Sequence, residues 1–140
     1  AQKTALRKDC SLSMIVLDID HFKSVNDKYG HQFGDQVLKS VSRLIKQKVR
    51  DVDILCRWGG EEFLLLLENC DQQHAAKVAE MIREEISQLQ IRIKDDSISV
   101  TISAGVAEYQ LGESMDNLIE RCDHAMYESK NKGRNRITVY

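Results

Sequence analysis

The stretch RWGGEEF, which lies between two apolar runs, constrains the fold of this chain most. The runs on either side, 53–56 and 63–67, are short and rich in Leu and Ile, as buried strands are. Gly59 and Gly60 suit the centre of a two-residue turn, because glycine takes a positive φ without steric cost. The stretch therefore predicts a β-hairpin whose two strands are buried in a sheet.

Elsewhere, apolar residues recur at helical spacing in four segments and form short strand-like runs in others. Ser114 or Asp116 is placed to cap the last helix, which Gly133 ends shortly after Lys130. Residues 91–93 are expected to pair with 98–106. The predicted strands are 11–17, 53–58, 62–67, 98–106 and 137–140, and the other predicted helices are 22–28, 33–49 and 71–89.

The order of these elements is βαββαβ with an added helix and strand. It predicts an α+β fold, in which a central, mainly antiparallel five-stranded sheet has flanking helices. The 140 residues contain no repeat and no internal boundary, so we expect 1–140 to form a single domain. The net charge of −2 gives no general attraction to nucleic acid or anionic membrane. No apolar stretch approaches the ~20 residues of a membrane-spanning helix.

The spacing of the four cysteines, Cys10, Cys56, Cys70 and Cys122, matches no zinc-binding pattern. We expect free thiols in a reducing compartment, which places the domain in the cytoplasm and leaves open a membrane anchor elsewhere in the parent protein. Cys56 and Cys122 lie in apolar surroundings, so both are predicted to be small core residues.

Two pairs of carboxylates stand beside buried strands. Asp18 and Asp20 are two residues apart and share one face of the first strand, while Ile19 points the other way and offers its backbone carbonyl. Because the first strand and the hairpin can be neighbours, Asp18 and Glu61 can meet near the hairpin tip. Clustered carboxylates repel one another, and an oxygen-ligated cation, Mg²⁺ or Mn²⁺, resolves that repulsion. The alternative is that Glu61 and Glu62 are solvated turn residues.

Five motifs in order make the chain resemble the GGDEF domain, the diguanylate cyclase family of bacteria. The resemblance extends over about residues 12–139. One such motif is weakly specific, whereas all of them together at family-like spacing are highly specific. The motifs are LDIDHFKSVND (17–27), GHQFGD (30–35), RDVDILCRWGGEEF (50–63), TISAGVA (101–107) and DHAMYESKNKGRN (123–135).

The resemblance implies a fold similar to the palm of nucleotidyl cyclases and polymerases. It also implies a reaction, in which two GTP molecules condense into cyclic di-GMP and release two pyrophosphates. Each domain holds one GTP, and two domains meet face to face, with metal ions clamping the attacking and leaving oxygens. The implied partners are GTP, cyclic di-GMP as product and inhibitor, a second GGDEF domain in a homodimer, and a fused sensor domain. Nucleic acid and membrane are not expected to contact this domain.

The same resemblance assigns roles to the acidic residues. Asp18, the backbone carbonyl of Ile19 and Glu61 match the family's metal ligands. Glu61 also matches the residue that accepts the proton of the attacking hydroxyl, and Glu62 supports the metal or the nucleotide. Lys23 matches a position that stabilises charge on the reacting phosphates.

A GTP-binding set follows from the resemblance as well. Asn26 and Asp35 match the guanine-reading positions of the family. Their chemistry suits that role, because a carboxylate can accept from both N1–H and the exocyclic amine of guanine, and an amide can donate and accept. Lys130 and Arg134 match the pair that binds the triphosphate. The alternatives are a turn residue at Asn26, helix-dipole partners at Asp35 and Lys130, and a structural His31. The predicted GTP-binding residues are Phe22, Asn26, His31, Asp35, Gly59, Gly60, Lys130 and Arg134.

Arg50 and Asp53 match the RxxD signature, an inhibitory site for cyclic di-GMP in the family. An arginine fork suits phosphate or guanine edges. The alternative is a surface ion pair at the entrance of a strand. Met81 stands where relatives often carry a further arginine, so the strength of product inhibition is left open. Arg83 or a residue of a neighbouring domain is the alternative source of that charge.

The segment that precedes the first strand, AQKTALRKDC, lacks the family's DxLTGLxNRR-like pattern. We therefore expect a piece of a larger signalling protein without its N-terminal linker, and the activity of the isolated domain is left open. Two alternatives to an enzyme remain: a catalytically silent module that binds GTP or cyclic di-GMP, and a structural dimerisation module. The intact GGEEF motif favours the enzyme.

Overall fold

The structure is a computed structural model and describes residues 11–140. Cys10 and the segment before it therefore lie outside the described residues. The strands are β1 (Leu12–Ile19), β2 (Ile54–Gly59), β3 (Glu62–Glu68), β4 (Ile91–Ile93), β5 (Asp96–Ile98), β6 (Ile102–Glu108) and β7 (Arg136–Val139). The helices are α1 (Phe22–Tyr29), α2 (His31–Lys48), α3 (Gln72–Gln88) and α4 (Met115–Asn131).

Five of the strands form one sheet in the order β2-β3-β1-β6-β7. All neighbours are antiparallel except β6 and β7, which are parallel. The predicted α+β fold with a mainly antiparallel five-stranded sheet is confirmed. Because β1 is the central strand, its end lies between the β2–β3 hairpin on one side and β6 on the other.

Alternate residues of β1 enter two different cores, as expected for a central strand covered on both faces. Ile15 and Leu17 face the larger core, which α2 and α3 complete, whereas Met14 and Val16 face the smaller core under α4. Asp18 continues the second series, so its side chain lies on the face that α4 covers. The register of one strand thus directs this carboxylate toward α4.

The last two helices begin at side-chain caps. Asp71 accepts a hydrogen bond from the backbone N–H of His74 at 2.9 Å, and Ser114 accepts one from Asn117 at 3.1 Å. Of the two predicted caps for α4, Ser114 is the one used. Each cap satisfies an N–H that the helix itself leaves free.

The turn of the hairpin differs from the prediction of a Gly59-Gly60 loop. The pairing of β2 with β3 shifts between Arg57 and Gly59, so Gly59 pairs with Glu62 inside the ladder. The two loop residues are therefore Gly60, with φ of 27°, and Glu61. The irregularity adds a residue to β2, and it brings Glu61 rather than a glycine to the tip of the hairpin.

Two further predictions were wrong. Residues 91–93 pair with 96–98 in a separate two-stranded hairpin, and not with β6. Cys56 is exposed, because β2 is an edge strand that α4 does not cover, whereas Cys122 is buried as predicted. None of the three described cysteines is bonded to another described cysteine. Within residues 11–140, the helices are all too short or too polar to cross a membrane.

Candidate active site

The end of β1 presents a buried carboxylate to three elements. Asp18 is 2% exposed, and it lies opposite Glu62 of β3 and Ser103 of β6. Its Oδ2 accepts a hydrogen bond from Nζ of Lys130 in the last turn of α4, and the two form an ion pair. Its Oδ1 is buried and has no hydrogen-bond partner among the described residues.

The charges around Asp18 oppose its ionisation. Burial raises the pKa of Asp18, the ion pair with Lys130 lowers it, and the charges of Glu61 and Asp20 raise it again. The net result is a raised pKa, because burial and the neighbouring carboxylates outweigh one ammonium. Burial lowers the pKa of Lys130, but its bond to Asp18 and the surrounding negative charge raise it overall. The site therefore has more negative charge than its single lysine compensates.

Two more carboxylates share this face. Burial raises the pKa of Glu62, with further contributions from the charges of Asp18 and Asp123. Burial likewise raises the pKa of Asp123, and Lys130 opposes that shift. Asp123 was not among the predicted site residues. Its position seven residues before Lys130, two turns away on the same face of α4, is the sequence signal that could have found it.

Glu61 lies at the hairpin tip beside the end of β1. The backbone N–H of Ile19 donates to the carbonyl of Glu61 at 3.3 Å, which joins the two predicted metal-binding segments. Within the described chain, no three His, Cys, Asp or Glu side chains converge to hold a metal. The predicted set needs only two carboxylates and the Ile19 carbonyl. The unpartnered, buried Oδ1 of Asp18 and the oxygen-only character of the predicted ligands fit a hard divalent cation.

Asn26 and Phe22 sit where α1 meets α2. Phe22 is buried, and Asn26 is half-buried with an Oδ1 that has no described partner. A Cβ on Gly34 would lie 1.9 Å from this oxygen and 3.2 Å from the ring of Phe22. Gly34 is a second residue that the sequence reasoning did not single out, although it belongs to the quoted motif GHQFGD. Its missing side chain makes room for the Asn26 amide.

Asp35 and His31 are exposed on the first turns of α2, and Lys23 is exposed on α1. Asp35 stands at one end of a groove of about 810 Å³ between α2 and β2. The floor of the groove is apolar, and its rim is basic. Its other lining residues are Leu38, Leu55 and Phe63 on the floor, with Lys39, Ser42, Arg43, Lys46, Gln47 and Arg57 around it.

The loop between α4 and β7 carries Arg134, whose side chain is exposed. Arg134 and Asn135 have φ of 64° and 49°, so two consecutive residues with side chains are left-handed. The N–H of Arg134 donates to the carbonyl of Ser129 at 2.9 Å. Lys130 reaches Asp18 from the last turn of α4, and Arg134 lies four residues later in the loop that follows.

Arg50 and Asp53 form a closed pair at the entrance of β2. Nη2 and Nε of Arg50 donate to the Asp53 carboxylate at 2.8 and 3.1 Å, and Nη2 also donates to the carbonyl of Glu68 at 2.6 Å. Hydrogen bonding to Asp53 raises the pKa of Arg50. Met81 is partly exposed on α3, and Arg83 is engaged with Glu80 and Asn135.

Comparisons with known proteins identify the family. The profile of the diguanylate cyclase GGDEF domain matches residues 1–136. Diguanylate cyclase A of Treponema denticola is 45% identical over 130 residues, which cover 92% of this chain and 35% of that protein. The GGDEF domain of DgcB from Caulobacter crescentus in complex with c-di-GMP superposes with a TM-score of 0.91 at 37% identity, covering 99% of this chain and 80% of that one.

A second solved structure is named for the same GGEEF motif that this chain carries at its hairpin. It is the active GGEEF domain of a diguanylate cyclase from Vibrio cholerae, with a TM-score of 0.90 and 34% identity over 99% of this chain and 88% of that one. The chain spans well under half the length of curated relatives such as the Treponema protein. By its sequence match and its fold, the chain belongs to the diguanylate cyclase GGDEF-domain family.

Proposed function

We propose that this chain is the catalytic domain of a diguanylate cyclase, which condenses two GTP molecules into cyclic di-GMP. The observation that carries the proposal is the buried Asp18 beside the GGEEF hairpin, with one oxygen on Lys130 and the other without a described partner. A buried, crowded carboxylate costs stability, so a role in binding a cation or substrate explains its presence better than a role in the fold. The Vibrio cholerae domain, named as active, supports activity for a motif that reads GGEEF.

Asp18, Glu61 and the carbonyl of Ile19 are the residues that would hold Mg²⁺ or Mn²⁺. When bound, such an ion supplies positive charge for the reacting phosphate and its leaving group. The excess of carboxylates over Lys130 favours a divalent ion at this place, because it would compensate charge that the protein leaves uncompensated. Glu62 and Asp123 add to that negative potential from β3 and α4.

The chemistry that follows is a phosphoryl transfer in two identical halves. Glu61, at the hairpin tip, accepts the proton of a 3′-hydroxyl, whose oxygen forms a bond to the α-phosphorus of the other GTP. The bond from that phosphorus to pyrophosphate breaks, and the exposed ammonium of Lys23 stabilises the charge that develops. Repetition with the roles exchanged closes the ring and releases the second pyrophosphate. The Gly60-Glu61 turn leaves open space beside it for the nucleotide.

Recognition of GTP is assigned to the two sides of this centre. Asp35 accepts from N1–H and the amine of guanine, and Asn26, given room by Gly34, completes the reading of the base. Lys130 and Arg134 bind the triphosphate, with Lys130 exchanging its bond to Asp18 for one to phosphate. His31, at the start of α2, and the wall formed by Phe22 belong to the same subsite.

The partners proposed for the whole protein follow from the reaction. Because one domain holds one GTP, catalysis requires a second copy of the domain face to face with the first. We also propose that Arg50 and Asp53 bind cyclic di-GMP as an inhibitor, with a fused sensor domain controlling the pairing. The two free N–H groups on Nη1 of Arg50 have no described partner and support a further ligand. Met81, in place of a cation, predicts weaker inhibition.

The test is GTP turnover with Mg²⁺ and chromatographic separation of the products. Wild type is compared with Glu61→Ala, and Glu68→Ala is the matched control because it removes an exposed glutamate from the other end of β3. We expect cyclic di-GMP from wild type and from the control, and a loss of about 100-fold or more in Glu61→Ala. Tight binding of GTP without any product would instead support the catalytically silent module.

A further inference from the structure

Asp20 is a buried carboxylate that the proposed reaction does not use. The residue is 4% exposed and follows directly after Asp18 and Ile19, the predicted metal ligands. The partners that the structure describes for its side chain are all neutral donors. A buried carboxylate without a cation needs every one of these hydrogen bonds, because each lost bond leaves charge unsatisfied.

The donors come from two separate parts of the fold. Ser103 Oγ of β6 donates to Oδ1 at 2.7 Å, and Thr101 Oγ1, just before β6, donates to Oδ2 at 2.7 Å. The third donor is the backbone N–H of Asn135 in the α4–β7 loop, at 3.1 Å from Oδ2. The backbone of Asp20 is fixed as well, since its own N–H donates to the carbonyl of Thr101 at 2.9 Å. One side chain therefore joins the end of β1 to the loop that carries Arg134.

That loop has a backbone that requires such support. Arg134 and Asn135 are both left-handed, a conformation that residues with a Cβ adopt only at a cost in energy. Three other hydrogen bonds are described for these two residues. Nη1 of Arg83 donates to Oδ1 of Asn135 at 2.8 Å, Nε of Arg136 donates to the carbonyl of Arg134 at 3.1 Å, and the N–H of Arg134 donates to the carbonyl of Ser129. The bond to Asp20 is thus the loop's link to the predicted metal-binding strand.

We propose that Asp20 is a positioning residue. It fixes Arg134 relative to Asp18 and Ile19, so that the arginine and the predicted metal ligands act on the same triphosphate. The inference rests on the proposed function and adds a residue to it. Asp20 itself touches no substrate and acts through the loop. Loss of the Asp20 carboxylate therefore has the same consequence as loss of the Arg134 side chain, while the predicted metal ligands Asp18 and Glu61 remain.

The test is a double-mutant cycle on GTP affinity, measured by calorimetry with Mg²⁺ on this chain. Arg134→Ala should weaken binding about 10-fold in wild type, as expected for a lost charge-assisted contact. Asp20→Ala removes both acceptor oxygens and with them the bond to the N–H of Asn135. In the Asp20→Ala background, Arg134→Ala should then add no more than about 2-fold, because the arginine is already misplaced.

Asp35→Ala supplies the control for the cycle, since none of the hydrogen bonds described for the Asp20 side chain comes from α2. Its effect should be the same in wild type and in Asp20→Ala, within about 2-fold. Circular dichroism shows whether Asp20→Ala is folded. If it is not, the same cycle is run with Thr101→Val, which removes one of the bonds that orient the Asp20 carboxylate.

The outcomes separate this inference from the function on which it rests. Coupling between positions 20 and 134, with none between 20 and 35, supports the positioning role. Full additivity of Asp20→Ala and Arg134→Ala overturns it and leaves Asp20 with a structural role, while the proposed function stands. Folded wild type that binds no GTP overturns both.

Discussion

Replacing Lys130 by Met tests the electrostatics of the site most sharply. In the structure this ammonium is the cation bonded to Asp18, whose side chain is 3% exposed. Removing one partner of a buried pair costs about 3–5 kcal/mol, and the 22% exposure of Lys130 moves our expectation toward the lower end. We expect Lys130→Met to lower the free energy of unfolding by about 3 kcal/mol at pH 8 without divalent metal.

The loss should depend on pH in a defined direction. Without Lys130, nothing described in contact with Asp18 opposes burial, so the pKa of Asp18 in the folded state rises further above its unfolded value of about 3.9. Above the raised pKa, the folded state contains an uncompensated buried charge. Below it, the carboxyl is protonated and the destabilisation disappears. The difference between Lys130→Met and wild type should therefore shrink as the pH falls from 8 toward the raised pKa of Asp18.

The assay is urea unfolding followed by circular dichroism at several pH values in a chelating buffer. Lys132→Met is the matched control at the same end of α4, because Lys132 pairs with Glu128 on the surface with 58% and 43% exposure. Such a pair contributes about 0.5 kcal/mol or less. Equal, pH-independent effects of the two substitutions would refute the assignment of Lys130 as the compensating charge of Asp18.

Three further outcomes follow from the packing and charge of the site. Gly34→Ala should lower GTP affinity by about 10-fold in calorimetry with little change in the free energy of unfolding, because its Cβ would lie 1.9 Å from Oδ1 of Asn26. Unchanged affinity would argue against Asn26 as a guanine contact. Glu62→Gln should raise the free energy of unfolding, measured with urea in the absence of metal, by about 0.5 kcal/mol and slow turnover, since it removes one of the crowded carboxylates. A loss of stability would contradict repulsion between Glu62 and its neighbouring carboxylates. Gly105→Ala should lower the free energy of unfolding by about 2–3 kcal/mol in the same assay, because its Cβ would lie 2.1 Å from the carbonyl of Cys122. An unchanged free energy would show that α4 can move away from β6.

The fold could be predicted where a local pattern and the global arrangement agree. The short apolar run of β1, the hairpin and the helical spacing of α2 and α3 each predict the element that the structure shows, and the Ser114 cap marks the start of α4. The position of a strand within the sheet is not a local property. Cys56 has apolar neighbours in sequence, yet it is exposed because β2 became the edge strand. The irregularity at Arg57 and Gly59 likewise follows from pairing with β3.

The candidate site, like the fold, could be predicted from the sequence only in part. The acidic residues near the hairpin could be predicted, because carboxylates that follow apolar strands are conspicuous in sequence. The structure brings Asp18, Glu61, Glu62 and Lys130 to one end of the sheet. The room that Gly34 gives Asn26 could not be assigned, because it depends on a contact between α1 and α2 that no spacing rule specifies. Asp123 was missed, although its spacing from Lys130 places both residues on one face of α4.

The most direct measurement of the central claim is the rate of cyclic di-GMP formation from GTP and Mg²⁺ as the concentration of this chain is raised. If each copy holds one GTP and the reaction takes place between two copies, product should form and the rate per copy should rise with concentration until pairing saturates. Folded chain that binds GTP but forms no cyclic di-GMP at any concentration would contradict the claim. A rate per copy that is independent of concentration in a monomeric chain would contradict the two-domain reaction.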